Sequence, residues 1–161
     1  MNPSPFAHLP PMTDDEVAQL RARAMAVPIS STLGFTLESL ERGVCRLAMP
    51  RDPRFDGIYR SLHGGLLMTL ADSAGAFALL SVVDPDEAVT TTEMNIRFLA
   101  PVHDRVVVTA RVLKIGKTLC PLVAELHDEA GRLVAHAGMT YMRVRRDSRA
   151  LDSTRGEGGT R

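Results

Sequence analysis

The residues best equipped for chemistry lie in HGGLLMTLADSAGAFALL, residues 63–80. Apolar residues cover nearly every face of a helix drawn over this run, yet Asp72 stands in the middle of them. An ionised carboxylate in apolar surroundings costs several kcal/mol unless it is paired or hydrogen-bonded. Asp72 is therefore either held by a structural partner such as Ser73, Thr69 or an Arg, or kept as a general base or nucleophile. At the head of the run, Gly64 and Gly65 leave backbone N–H groups unshielded at the positive end of the helix dipole, where a developing negative charge is stabilised. His63 sits at the junction, placed to set the loop through a side-chain to backbone hydrogen bond. The double glycine also permits close packing of the helix, and the two roles are compatible.

These groups need a scaffold, and the chain has the length of one ordinary domain at 161 residues. Residues 1–12 are Pro-rich and expected to be disordered. TDDE at Thr13–Glu16 is a capping box that opens a helix carrying Val17, Leu20 and Ala24 and ending before Pro28. From Phe35 the period becomes two, with FTLESLE and VCRLAMP flanking Arg42 and Gly43 as a hairpin. After the apolar helix come four strand-like runs, TTTEMNIRFLAP, RVVVTARVLKIG, TLCPLVAELHD and RLVAHAGMTYMRVR. Short turns at VHD, GK and DEAG suggest that successive strands are antiparallel neighbours. Met94, Ile96 and Phe98 share one face of their strand, Asn95, Arg97 and Leu99 the other. One domain is expected over residues 13–145, followed by a polar, Gly-rich, disordered tail at 146–161. A helix that is apolar all round must be enclosed. A curved antiparallel sheet of five or six strands covers one side of it, and a second copy of the chain is the simplest cover for the other.

The residues SLHGGLLMTLADSAGAFAL, TTTEMNIRFLAPV and VLKIGKTL resemble the PaaI-type acyl-CoA thioesterases of the hotdog fold, over residues 35–145. The resemblance implies an α+β hotdog fold and hydrolysis of an acyl- or aryl-acyl-CoA. It makes Asp72, nine residues after His63, the catalytic carboxylate, and Thr91 the hydroxyl that holds the catalytic water or the Asp. The family commonly has an Asn six residues before the His, and here that position is Gly57. Asp56 beside it has the wrong charge for an oxyanion, which leaves backbone donors alone, slow hydrolysis, or a non-catalytic acyl-CoA binding protein as readings of that departure. A hydratase on the same fold would pair its His and carboxylate at a different spacing.

Distance adds something the motif does not state. Gly64 and Asp72 are eight residues apart, or roughly 12 Å along a helix axis, whereas one carbonyl must sit about 3 Å from its oxyanion donor and close to the attacking group. Two antiparallel helices about a twofold axis would set Asp72 of one subunit against the Gly64 amide of the other. A homo-oligomer follows, a dimer or a tetramer built from dimers.

Further candidates for substrate contact are Gly65, Met68 and Met94 along the acyl chain, and Arg60, Arg97 and Lys117 for coenzyme A phosphates. Lys114 and Lys117, the only lysines, fall in one turn, where solvated lysines are common. The other histidines, His8, His103, His127 and His136, show no ligand spacing, so neither a metal nor a cofactor beyond the substrate's own coenzyme A is expected. Nineteen basic and nineteen acidic residues leave no electrostatic footprint for nucleic acid or an anionic membrane surface. Residues 64–83 approach bilayer-spanning length, but a central Asp is costly there by about 2.5–3.5 kcal/mol. Cys45 and Cys120 lie in apolar runs without CxxC spacing, and the N-terminus has no secretory pattern, so a cytoplasmic protein with free thiols is expected.

Overall fold

The TDDE sequence closes as a reciprocal cap. The Thr13 hydroxyl accepts the Glu16 N–H at 3.2 Å and the Glu16 carboxylate accepts the Thr13 N–H at 2.8 Å, which starts α1 (Asp14–Ala26). Val27 is extended, as a residue before proline tends to be, and Pro28 then opens a single further turn, α2 (Pro28–Thr32). One turn has too short a period to read from sequence. The computed structural model describes residues 5–6 and 8–145, so the tail at 146–161 lies outside the described residues, as do residues 1–4 and 7.

Next come β1 (Thr36–Glu41), β2 (Val44–Met49), α3 (Gly64–Leu80), β3 (Glu87–Phe98), β4 (Val106–Val112), β5 (Leu119–Asp128) and β6 (Leu133–Arg145). The six strands form one antiparallel sheet in the order β1-β2-β4-β5-β6-β3, curved around α3. One expectation fails here, because β3 and β4 are not neighbours. β3 runs against β6 from Glu87↔Arg145 to Phe98↔Ala135, while β4 lies between β2 and β5. The VHD segment is not a hairpin turn. The Leu99 and Ala100 N–H groups stay bonded to Val134 O, Pro101 offers no donor, and Val102 O is taken by the Leu62 N–H at 2.9 Å. This leads the chain away from β3.

The concave face of the sheet buries one side of α3, where Leu70, Ala71, Ala74 and Leu79 are fully buried. The other side is a stripe at four-residue spacing, Gly64, Met68, Asp72, Ala76 and Leu80, and each of these is only half-buried. β3 forms one edge of the sheet, with Phe98 51% exposed and Leu99 beyond it 57% exposed. The C-terminal end of α3 is fixed by the β1–β2 turn. Arg42 pairs with Glu16 at 2.8 Å and donates to Ser81 O at 2.9 Å, and the Gly43 N–H donates to the Ser81 hydroxyl at 2.8 Å.

Part of the N-terminal segment expected to be disordered packs against this lock. Phe6 is 7% exposed, and its ring lies so close to Gly43, itself left-handed at φ 74°, that a Cβ there would fall 2.3 Å from it. A buried Phe truncated to Ala costs about 3 kcal/mol. Phe6→Ala should therefore lower the unfolding free energy by about that much in urea titration, and a wild-type curve would mean the ring is not part of the core.

Candidate active site

α3 starts where His63 turns its ring back onto the helix. His63 is the N-cap residue, and its Nδ1 accepts the Gly65 N–H at 3.0 Å. This is the local contact expected of His63, and it takes up one of the two glycine donors. The Gly64 N–H, at the first helical position, has no intrahelical acceptor and remains available. The glycines are also needed for space. A Cβ at 64 would approach the Phe98 ring at 3.1 Å, and one at 65 would approach His63 Nδ1 at 3.1 Å.

The loop leading into α3 is held by Arg51. Its Nε–H donates to Asp56 Oδ1 at 2.8 Å, Nη2 bonds Asp56 Oδ2, and Nη2 also reaches Arg60 O at 3.1 Å. The hydrogen bond from Arg51 holds the Asp56 carboxyl below its ordinary range against the opposing effect of burial. Asp56 is thus neutralised by a partner. Gly57 donates its N–H to Ser61 O at 2.8 Å, closing a turn in which Arg60 takes the left-handed φ of 52°. No side-chain donor stands at the position of the family's Asn.

Asp72 is served by neither Thr69 nor Ser73. Their hydroxyls bond back to Gly65 O at 3.0 Å and Thr69 O at 2.8 Å. Its partners come from the sheet. Thr91 Oγ1 donates to Asp72 Oδ1 at 2.5 Å, and the Tyr141 hydroxyl lies 3.0 Å from the same oxygen and 2.5 Å from the Asp72 carbonyl oxygen. Asp72 Oδ2 has no hydrogen-bond partner within the described residues.

A β-bulge aims Thr91. Thr91 pairs with Tyr141 and Glu93 with Thr140, which leaves Thr92 as the extra residue. Counted by twos from Met94, Thr90 and Thr92 would face α3; the bulge puts Thr91 there in their place. Thr92 instead bonds Thr140 O at 3.0 Å. Tyr141 is 1% exposed, and burial followed by the Asp72 charge pushes its phenol above the ordinary range, so it stays protonated. The sequence reading missed Tyr141, since an aromatic in MTYMRVR looks like ordinary strand composition. The available signal was Gly75, a helix-interior glycine one turn after Asp72. A Cβ there would lie 2.6 Å from the Tyr141 hydroxyl.

The remaining candidates are dispersed. Met94 is partly buried against the core and Met68 half-buried on the open stripe of α3. Arg97, on the opposite face of β3, bonds Asn95, and Arg60 and Lys117 are exposed. The hairpin bearing Lys117 is tied to β6 by Arg143, which donates to Gly116 O at 3.1 Å while pairing with Glu87 at 2.7 Å. Among the described residues, no cluster of His, Cys, Asp or Glu could hold a metal ion, and no helix is long and apolar enough to cross a membrane.

A six-stranded antiparallel sheet curled around one long helix, with a carboxylate at mid-helix and a glycine-opened N-terminus, defines a hotdog-fold thioesterase. Residues 59–135 match the thioesterase superfamily. Human acyl-coenzyme A thioesterase 13 is 32% identical over 133 residues, covering 80% of this chain and 94% of that protein. The crystal structure of a thioesterase family protein from Silicibacter pomeroyi superposes with a TM-score of 0.75 at 32% identity, over 80% of this chain and 98% of that one. The E. coli PaaI protein from the phenylacetic acid degradation operon gives 0.72 at 27%, over 79% and 93%. The chain belongs to the thioesterase superfamily, as a PaaI-type thioester hydrolase.

The loop that sets His63 carries its own pH dependence. Asp56 is depressed in the folded state, so its contribution to stability is present above its ordinary value of 3.8 and is lost as pH falls through the lower folded value. Arg51→Met should lower the melting temperature at pH 7, and the gap from wild type should narrow as pH falls below 3.8 through the lower folded value. A gap that persisted there would locate the effect in packing.

Proposed function

We propose that this protein hydrolyses an acyl-CoA, with Asp72 as general base and the Gly64 amide of a second copy as oxyanion donor. The observation that carries the reading is the division of labour on Asp72, whose Oδ1 is occupied by Thr91 and Tyr141 while Oδ2 has no partner. A water on Oδ2 gives up its proton to the carboxylate as its oxygen attacks the thioester carbon. The carbonyl oxygen becomes an oxyanion facing the Gly64 N–H, which lies at the positive end of the α3 dipole. On collapse the C–S bond breaks, and the leaving thiolate takes the proton from Asp72, which releases free acid and coenzyme A. If Asp72 attacked directly, a mixed anhydride would form as the thiolate left, and a single turnover in 18O water would label the Asp72 carboxylate when water opened that anhydride at the Asp carbon.

The need for a second copy comes from the helix itself. The eight residues between Gly64 and Asp72 span roughly 12 Å, too far for one carbonyl. The half-exposed stripe of α3 and the free edge at β3 favour a twofold-related partner that supplies the missing half of each site. In this reading Met68 and Met94 contact the acyl group, Gly65 and His63 shape the entrance, and Lys117, Arg60 and Arg97 are available to coenzyme A phosphates. Gly57 leaves the backbone donor unassisted.

Loss of a general base costs about 10²–10⁴-fold and loss of one oxyanion donor about 10²–10³-fold. Asp72→Asn should lower kcat/KM within the first range in a thiol-release assay across short, medium, long and aromatic acyl-CoAs. Gly64→Pro should fall in the second range relative to Gly64→Ala, which meets the Phe98 ring with the same Cβ but keeps the N–H that proline at the first helical position removes. Mixed oligomers of Asp72→Asn and Gly64→Pro should regain activity, since one site of each pair would then hold both intact groups. Folded mixed oligomers that stay inactive would refute the shared site, and acyl-CoA binding without thiol release by the wild type would favour a binding protein.

A further inference from the structure

Tyr141 is one of only two tyrosines in the chain, and it lies 1% exposed beneath α3. Such a phenol packs as well without its oxygen unless the oxygen has a partner. Here its single proton is shared between two acceptors, both on Asp72, the carbonyl oxygen at 2.5 Å and Oδ1 at 3.0 Å. The helix makes room for it at a cost. Gly75 replaces a residue that would stabilise the helix by about 1 kcal/mol, and a Cβ there would come within 2.6 Å of the hydroxyl and 3.1 Å of the ring.

We propose that Tyr141 is a positioning residue for the proposed base: together with Thr91 it anchors Oδ1 and the backbone of Asp72, so that Oδ2 alone is presented to the reacting water. The inference rests on Asp72 being the base. Among the described residues, the groups around the carboxylate leave the two hydroxyls as its only hydrogen-bond partners. On α3, Thr69 and Ser73 turn back onto helix carbonyls. On β3 the bulge delivers Thr91, and on β6 the residue facing it is Tyr141. The nearest ion pair along these strands, Glu87 with Arg143, is closed on itself at 2.7 Å. Thr91 holds Oδ1, the single Tyr141 proton is shared between Oδ1 and the nearer Asp72 carbonyl oxygen, and together they fix the rotamer of the carboxylate. The buried phenol, raised above its ordinary range, remains a donor wherever the enzyme works.

A merely packed tyrosine and a positioning one respond differently to loss of the oxygen. Tyr141→Phe should lower kcat about tenfold with KM within about twofold. Gly75→Ala, which crowds the hydroxyl while leaving the tyrosine in place, should lower kcat in the same way, again with little change in KM. The double variant should show no further loss of kcat beyond Tyr141→Phe, because the group being displaced is already gone. A Tyr141→Phe enzyme that melts earlier but keeps wild-type kcat would overturn the proposal. Asp72→Asn, assayed alongside, separates the two ideas. Retained activity there would remove the base and the role of Tyr141 with it, whereas loss there beside an unaltered Tyr141→Phe would overturn the role of Tyr141 alone.

Discussion

A carboxylate on an otherwise apolar helix has to be solvated by the protein, and the two hydroxyls that do this for Asp72 come from different strands of one sheet. Thr91 on β3 and Tyr141 on β6 stand opposite each other in register and converge on the same oxygen. Much of the surrounding architecture follows from that requirement. β3 has to lie beside β6, although β4 follows it in the chain. The β3 ladder has to break at Thr92 so that a residue of the wrong parity faces the helix, and α3 has to carry glycine at 75 so that a phenol fits beneath it. Each of these departs from regular structure, and each is relieved by the same contact.

The second constraint is separation. α3 holds its N-terminal amides rigidly along its axis from its carboxylate, and no rotamer can bring the two together. At one end His63 and Arg51 shape the entrance; at the other, Arg42 joins α1, the β1–β2 turn and the C-terminus of α3. Fixing both ends makes the helix a rigid rod, and a rigid rod leaves its chemistry divided between its own face and whatever covers that face. The proposed second copy answers the same physical need as the buried sheet does on the opposite side, namely cover for an apolar stripe.

Much of this was legible from local pattern. The TDDE box, the apolar run from 64 to 80 and the period-two runs on either side each encode their conformation within a few residues, because capping, burial and alternation are short-range signals. Asp72 stood out because an isolated charge among apolar residues is a local contradiction. Of the partners of that charge, Thr91 was singled out only by the family resemblance and Tyr141 by nothing, since Ser73 and Thr69 are nearer in sequence and chemically suitable. They are diverted by helix carbonyls one turn back. Phe6 was similarly hidden, being one aromatic in a Pro-rich segment whose purpose appears only when Gly43 is seen beneath its ring.

The sequence by itself determined the class of fold, the central helix and the two chemical groups placed along it, because composition and periodicity dictate what each segment must bury. The tertiary structure alone decided which strand lies beside which, how a bulge turns inward the Thr91 that only the family resemblance had singled out, and that a tyrosine 69 residues from Asp72 completes its solvation. Strand order and register depend on contacts far apart in the chain, whose free energies belong to the assembled sheet and not to any segment of it.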